Sequence, residues 1–326
     1  MGTRTEVLAG GTWRGAWAVG CAVFLLAIFS DCAVHAQATG PAHSIILPPT
    51  LVAEAPATLA VLDSSGRLVP AVNIVLSDGH VLKTDVTGRA RWVVSATPGQ
   101  IEARIPHTAI AATATIVTRS AESVTQTESA PSPSVAPPPA AASPVAGGIE
   151  ITDCPHFVDA RDQFSVSGTH FAGYADDNHV SLGTQPVLVL AASPTALVLL
   201  PSADTPLGRG EFQVVGNGRA SRPLSLTVVE LDALQPTGAL RIGEQAILTV
   251  RVRGSTEPLD VEVANWSPAV IKMLRSAANR AASSAPVANV QRVRTSGGEK
   301  NEAQIQIVPL AEGKFIVRAR LVQQHS

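Results

Sequence analysis

Val72-Asn73-Ile74-Val75-Leu76-Ser77-Asp78-Gly79-His80-Val81-Leu82-Lys83-Thr84 places two short β-prone runs on either side of one Asp-Gly pair. β-Branched side chains pack well on a pleated surface, and Asp-Gly tolerates the positive φ angles of a tight turn, so the stretch predicts a hairpin. The same texture continues outward. Upstream, Thr58-Leu59-Ala60-Val61-Leu62 ends in Asp63-Ser64-Ser65-Gly66, a cluster of self-capping and conformationally permissive residues. Downstream, Thr87-Gly88 precedes Ala90-Arg91-Trp92-Val93-Val94, and Pro98-Gly99 precedes Ile101-Glu102-Ala103-Arg104-Ile105, which alternates with period two. Turn signals recur about every ten residues, the spacing of stacked sheets built from short strands.

The whole composition agrees. Of the 326 residues, 45% are hydrophobic but only 4% aromatic and 15% charged, a poor match to the charge-flanked amphipathic helices of a large α/β enzyme. A formal net charge of −2 supplies no global field for nucleic acid, and none is expected as a partner. At the N-terminus, Arg4 and Arg14 frame a positive region, Ala16 to Ser30 form an apolar run, and Val34-His35-Ala36 offers small residues for cleavage. Residues 1–36 therefore predict a signal peptide cut after Ala36, the alternative being a retained anchor and the only membrane contact. Cys21 and Cys32 fall in that segment and leave Cys154 alone, so packing rather than a disulfide must hold the mature chain together. Cys154 itself is expected to be a small buried residue.

Three units are expected after the signal. Residues 43–118 resemble the bacterial Ig-like and regulatory, transthyretin-like modules of exported proteins. The resemblance rests on Leu62 to Leu76, where an Asp/Gly turn is followed by Pro70-Ala71-Val72, and on Thr84-Asp85-Val86-Thr87-Gly88-Arg89-Ala90. Residues 119–147 are rich in Pro, Ala and Ser and cannot bury a core, which predicts an exposed linker spacing the first unit from the rest. Residues 148–230 resemble an IPT/TIG domain. The residues that carry this are Ile149-Glu150-Ile151, Phe164-Ser165-Val166-Ser167-Gly168-Thr169-His170-Phe171, Val180-Ser181-Leu182-Gly183, Val187 to Leu190, Ala196 to Pro201 and Gly208 to Asn217. Arg161-Asp162-Gln163 departs from that family, which often has a Gly there. Residues 231–323 predict another Ig-like sandwich, with Ile247 to Arg253 and Val261 to Trp266 as alternating strands and Ala303 to Leu321 as a closing hairpin. A long polar loop, with a short helix conceivable over Leu274 to Ser284, separates them. The fold class is thus all-β, with tandem immunoglobulin-like β-sandwiches after an N-terminal signal peptide.

The chain carries no Gly-x-Ser-x-Gly, His-Glu-x-x-His, Cys-x-x-Cys or phosphate-loop motif, so no catalytic residue, cofactor or metal is expected. His156, His170 and His179 with Asp176-Asp177-Asn178 share the second unit, but their spacing matches no established zinc or EF-hand pattern. Arg275, Arg280, Arg292, Arg294 and Lys300 form a local basic excess. They are the candidate surface-binding residues, against the plainer reading of a solvated loop. Trp92, Trp266, Tyr174, Phe164 and Phe171 are expected to fill cores. The function expected is a non-catalytic exported binding or scaffolding protein of the bacterial cell envelope, periplasmic or at the cell surface. Its partner would be a protein or an envelope polymer. Two alternatives stand beside this: a carbohydrate-binding or adhesion protein, and an accessory subunit of an envelope enzyme or of secretion or pilus assembly.

Overall fold

The computed structural model describes residues 3–6, 42–118, 148–234, 236, 240–274 and 289–322. The rest of the expected signal segment, the 119–147 linker and the conceivable helix lie outside these residues, apart from Leu274 at that helix's start. Strand β1 (Thr3–Glu6) lies within the expected signal and pairs antiparallel with the last strand of the chain, Ile316–Leu321. The described chain is all-β, three immunoglobulin-like sandwiches in tandem, each closed on its own apolar core.

The first body contains β2 (Ala42–Ile46), β3 (Thr50–Val52), β4 (Pro56–Asp63), β5 (Asn73–Leu76), β6 (Val81–Lys83), β7 (Arg89–Val93), β8 (Gly99–Arg104) and β9 (Ala111–Val117). One sheet has the order β2-β4-β7 and the other β3-β9-β8-β5-β6. The Asp78-Gly79 hairpin forms as expected, with Asn73 opposite Lys83 and Gly79 at φ +93. Trp92, Leu59, Ile74 and Ile101 meet between the sheets.

The second body follows with β10 (Glu150–Asp153), β11 (Phe157–Asp159), β12 (Phe164–Thr169), β13 (Asn178–Leu182), β14 (Gln185–Ser193), β15 (Ala196–Leu200), β16 (Gly208–Gly216), β17 (Arg219–Ala220) and β18 (Leu224–Leu234). A register shift between Val189 and Ala191 bends β14, which pairs with β13 in one sheet and with β15 in the other. Phe164 and Phe212 meet edge-on at 6.1 Å in the core. Gly168 is required where it stands: a Cβ there would overlap the Glu150 carbonyl and press on the Phe171 ring. At Arg161-Asp162-Gln163, Asp159 Oδ1 accepts from the Arg161 N–H and Asp162 Oδ1 from the Gln163 N–H, so side chains shape the turn without a glycine.

Strand β18 does not stop at the end of the second body. Its first half pairs with β16, and Glu230 to Leu234 pair with β19 (Ala246–Arg253) of the third. Adjacent residues serve different cores, Val228 the second and Val229 the third. The third body adds β20 (Asp260–Asn265), β21 (Ile271–Met273), β22 (Val290–Arg294), β23 (Glu302–Pro309) and β24 (Ile316–Leu321). Its sheets run β18-β19-β23-β21 and β22-β20-β24-β1.

The first and second bodies are not held apart, which corrects the spacer expectation. Ile46, Ala60 and Leu62 of the first pack with Leu190, Ala191 and Val198 of the second in a separate buried cluster. Around it, Ser193 Oγ donates to the Thr50 carbonyl at 2.7 Å, Thr58 Oγ1 accepts from the Ala175 N–H, and Arg89 donates to the Val189 carbonyl at 2.7 Å. The composition of 119–147 speaks only for those residues themselves. It carries no information on whether their flanks touch.

Candidate functional site

Three walls, one from each body, enclose a cleft of about 910 Å³. β2 and the Leu62–Gly66 turn supply one wall, Asp162, Gln163 and Ser165 the second, and the outward face of β20, β22 and β24 the third. Period two decides what that third wall presents. On β20, Val261, Val263 and Asn265 point into the core, so Asp260, Glu262, Ala264 and the following Trp266 point out. On β24, Val317 and Ala319 are buried and Arg318 and Arg320 face the same way as Glu262. Exposed Arg292 and Arg294 flank buried Gln291 and half-buried Val293 on β22.

The result is an ordered polar face. Glu262 stands between Arg292 and Arg320, accepting from Arg320 Nε at 2.7 Å and lying 3.6 Å from Arg292 Nε. Asp260 lies opposite Arg294, 3.9 Å away. Arg318 lies over the Trp266 ring at 5.7 Å and 3.9 Å from Asp162 of the second body. Burial holds the guanidinium of Arg318 below its ordinary basicity, with the neighbouring charge of Arg320 adding to the effect. Its Nε–H and the Gln163 Oε1 are buried with no hydrogen-bond partner among the described residues. His43 of β2 completes the ring cluster, 6.4 Å from Trp266.

Trp266 is 51% exposed, so the expectation of a core plug is corrected. Asn265 takes the inward position instead, donating to the Ile271 carbonyl at 2.7 Å and accepting from the Ser267 N–H. The other rings behave as expected or nearly so: Trp92, Phe164 and Phe171 are buried, and Tyr174 is half-buried under Arg91 at 5.3 Å.

Of the basic residues singled out in the sequence, Arg292 and Arg294 lie together on this face and Arg292 lines the cleft. Lys300 is exposed in the turn between β22 and β23, away from the face, and Arg275 and Arg280 lie outside the described residues. Arg318, Arg320 and His43 went unnoticed in the sequence. The signal for the two arginines was their own alternation, Arg318-Ala319-Arg320 between apolar neighbours.

In the polar loop of the second body, Asn178 and Asp176 are taken up by local bonds and by the contact with the first body. Asn178 is buried, its side chain bonded to the Ala172 N–H and to the Ala172 and Tyr174 carbonyls. Asp176 pairs with Arg89 and Arg91 across the contact with the first body. Among the described residues no group of three His, Cys, Asp or Glu side chains could hold a metal ion. Cys154 is buried, and that burial pushes its thiol up to about 12, which suppresses the reactive thiolate. No helix among the described residues is long and apolar enough to cross a membrane.

No known family matches this chain, and no curated protein is similar to it. Among solved structures it is similar to SGBP-B of the mixed-linkage glucan utilization locus of Bacteroides ovatus, in complex with a mixed-linkage heptasaccharide. There identity is 10%, coverage is 87% of this chain and 77% of that one, and the TM-score is 0.28. SGBP-B from a complex xyloglucan utilization locus in Bacteroides uniformis matches at 9% identity over 83% and 96% of the two chains, with the same TM-score of 0.28. The surface layer protein SbsC, domains 1–6, matches at 11% identity over 88% of this chain and 40% of that one, with a TM-score of 0.19. Likenesses this distant say nothing about ligand, and the chemistry of the cleft has to be read from its own residues.

Proposed function

We propose that this chain is a non-catalytic binding protein of the bacterial cell envelope, and that it holds a glycan in the cleft beside Trp266. The observation that carries this reading is the half-exposed indole set in a concave, polar-walled site where three bodies meet. Sugars combine apolar C–H faces with a rim of hydroxyls. A flat exposed ring suits the first, and a fringe of guanidinium, carboxylate and amide groups suits the second. Among the three readings of the sequence, a binding or scaffolding protein, a carbohydrate-binding or adhesion protein, and an accessory subunit of an envelope assembly, the exposure of Trp266 favours the carbohydrate binder. Export rests on the apolar run before Ala36, and the kinship of the second body to IPT/TIG domains rests on the residues quoted for it.

The carboxylates of the wall support a binding role over a catalytic one. Glu262 is engaged by guanidinium groups on two sides, and Asp162 is taken up by the Gln163 N–H and by Arg318.

The test is a polysaccharide affinity screen of the mature protein, followed by Trp266→Ala. Because Trp266 is no core residue, the variant should keep its melting temperature. Loss of glycan retention by tenfold or more supports the reading. A wild-type protein that retains no glycan, neutral or acidic, overturns it.

A further inference from the structure

The cleft is lined by as many acids as arginines. Asp63, Asp162 and Glu262 supply carboxylates, and Arg292, Arg318 and Arg320 supply guanidinium groups. All six are engaged. Glu262 Oε1 takes Arg320 through Nε at 2.7 Å and Nη2 at 2.5 Å, while Oε2 lies 3.6 Å from Arg292 Nε. Asp162 accepts from the Gln163 N–H and stands 3.9 Å from Arg318, whose guanidinium also lies over the Trp266 ring. Asp63 is buried in its own turn, where Oδ1 accepts from the Ser65 N–H, the Ser65 hydroxyl and the Arg67 N–H.

Pairing decides what such a lining can read. A ligand carboxylate or sulfate could gain a guanidinium only by displacing Glu262 or Asp162, and it would then stand beside the group it had displaced. Like charges brought together out of water oppose that exchange. A hydroxyl displaces nothing. It both donates and accepts, and an ion pair keeps N–H groups and lone pairs to spare. The side chains of Arg292 and Arg320 are 71% and 59% exposed, so their remaining donors face water that sugar hydroxyls can replace. The half-exposed ring of Trp266 adds to the preference. The face of an indole is electron-rich, which suits a C–H surface and repels an anion.

We propose that the cleft selects neutral glycans and excludes acidic ones, its ion pairs forming a fixed fringe of donors and acceptors around the Trp266 ring. The inference rests on the glycan-binding reading above and adds the charge of the ligand. The exclusion turns on Glu262, because that one carboxylate occupies two arginines at once.

The test uses the full mature chain at pH 8, where an ordinary imidazole is neutral, with a neutral panel (a β-glucan, a mannan and a xylan), polygalacturonate, and heparin. At least one neutral polysaccharide should bind about tenfold or more tighter than either polyanion. Its affinity should change by less than about twofold between roughly 0.05 and 0.5 M salt, because no net charge is there to be screened. Glu262→Gln keeps the side chain's shape and its acceptor oxygen but leaves Arg292 and Arg320 without their counter-charge. The ratio of polygalacturonate to neutral affinity should then rise about tenfold, and the acid binding so gained should weaken with salt. A carboxylate that served only to hold the sheet would give no such gain. Circular dichroism and melting check that the variant folds. If it does not, the probe ranking and salt dependence of the wild-type protein decide alone.

Polygalacturonate or heparin bound as tightly as the neutral panel, and lost in Trp266→Ala, would sink the charge selection and leave the glycan reading intact. So would a folded Glu262→Gln protein with no gain toward polygalacturonate. Neutral binding that survives Trp266→Ala would put the ligand outside the cleft and sink both readings, as would a wild-type protein that binds no probe.

Discussion

The two junctions between the bodies are made in opposite ways. The second and third bodies share one backbone: β18 leaves one sheet and enters the next without a turn, and Val228 and Val229 face different cores. Ion pairs then brace it, with Glu230 and Asp232 of β18 meeting Arg253 of β19 and Arg161 of the second body. The first and second bodies are separated by residues 119–147 and share no strand, yet they bury six apolar residues and a guanidinium between them. One joint is a continuous strand braced by ion pairs; the other is packing between separate strands, an apolar cluster ringed by hydrogen bonds and the Asp176 ion pairs. Covalent continuity fixes position whether or not the side chains agree. The packed joint exists only while its surfaces fit.

That contrast can be broken at either joint. The largest effect is expected from Leu231→Ala, which empties a fully buried position on the shared strand. A loss of about 4 kcal/mol should appear in urea unfolding of the third body, with much less change in the signal from Trp92 in the first. A shift of equal size at Trp92 would mean that the bodies unfold as one unit.

The polar joint should also respond to pH. Asp159 on β11 is pushed up to about 6 from its ordinary 3.8, chiefly by burial, with the charge of Glu230 adding and Arg161 opposing. The folded state therefore binds this proton more tightly than the unfolded chain. Stability from this group is present in acid and is lost as pH rises from about 4 to above 6. Asp159→Asn keeps the Oδ1 acceptor for the Arg161 N–H and removes the charge. It should stabilise the protein at pH 7 by roughly 3 kcal/mol, the gain vanishing near pH 4. Melting curves at the two pH values check the sign.

At the packed joint, Gly173 lies so close to the first body that a Cβ would overlap the Pro56 carbonyl. Gly173→Ala should cost about 2 kcal/mol by overpacking. Combined with Arg89→Ala, which removes the bond to the Val189 carbonyl, it should cost less than the sum of the two, because both loosen the same contact. Strict additivity would mean that the contact contributes nothing as a unit. The smallest effect belongs to a site remote from both joints: Arg241→Ala, breaking an exposed pair with Glu244, should change stability by about 0.5 kcal/mol or less.

The sequence carried the strands better than the contacts between bodies. The 73–83 hairpin follows from Asp78-Gly79, and the alternation of β8 from Ile101-Glu102-Ala103-Arg104. Trp266 was misplaced because a large ring was weighed by its size. The parity of β20 had already put Val261 and Val263 inside and Glu262 and Trp266 outside. The packed joint also left a trace. Leu59-Ala60-Val61-Leu62 and Leu190-Ala191-Ala192 are unbroken apolar runs, and a strand apolar on both faces needs cover on both. Each run has one face in its own core and the other in the shared cluster. What no single sequence could supply is the meeting of Arg318 with Asp162 or of His43 with Trp266. Those depend on how three bodies are oriented, and strand periodicity is silent on orientation.

The unbroken course of β18 has a mechanical corollary. A protein fixed at one end to a surface and at the other to a polymer carries load along its backbone. Tension entering the third body would pass into the second through this strand, pulling its ladders on both sides in shear, where many hydrogen bonds resist together. The contact with the first body has no such cable and would yield before it, opening the cleft from the side of His43 while Trp266 and its arginines stay on their sheet.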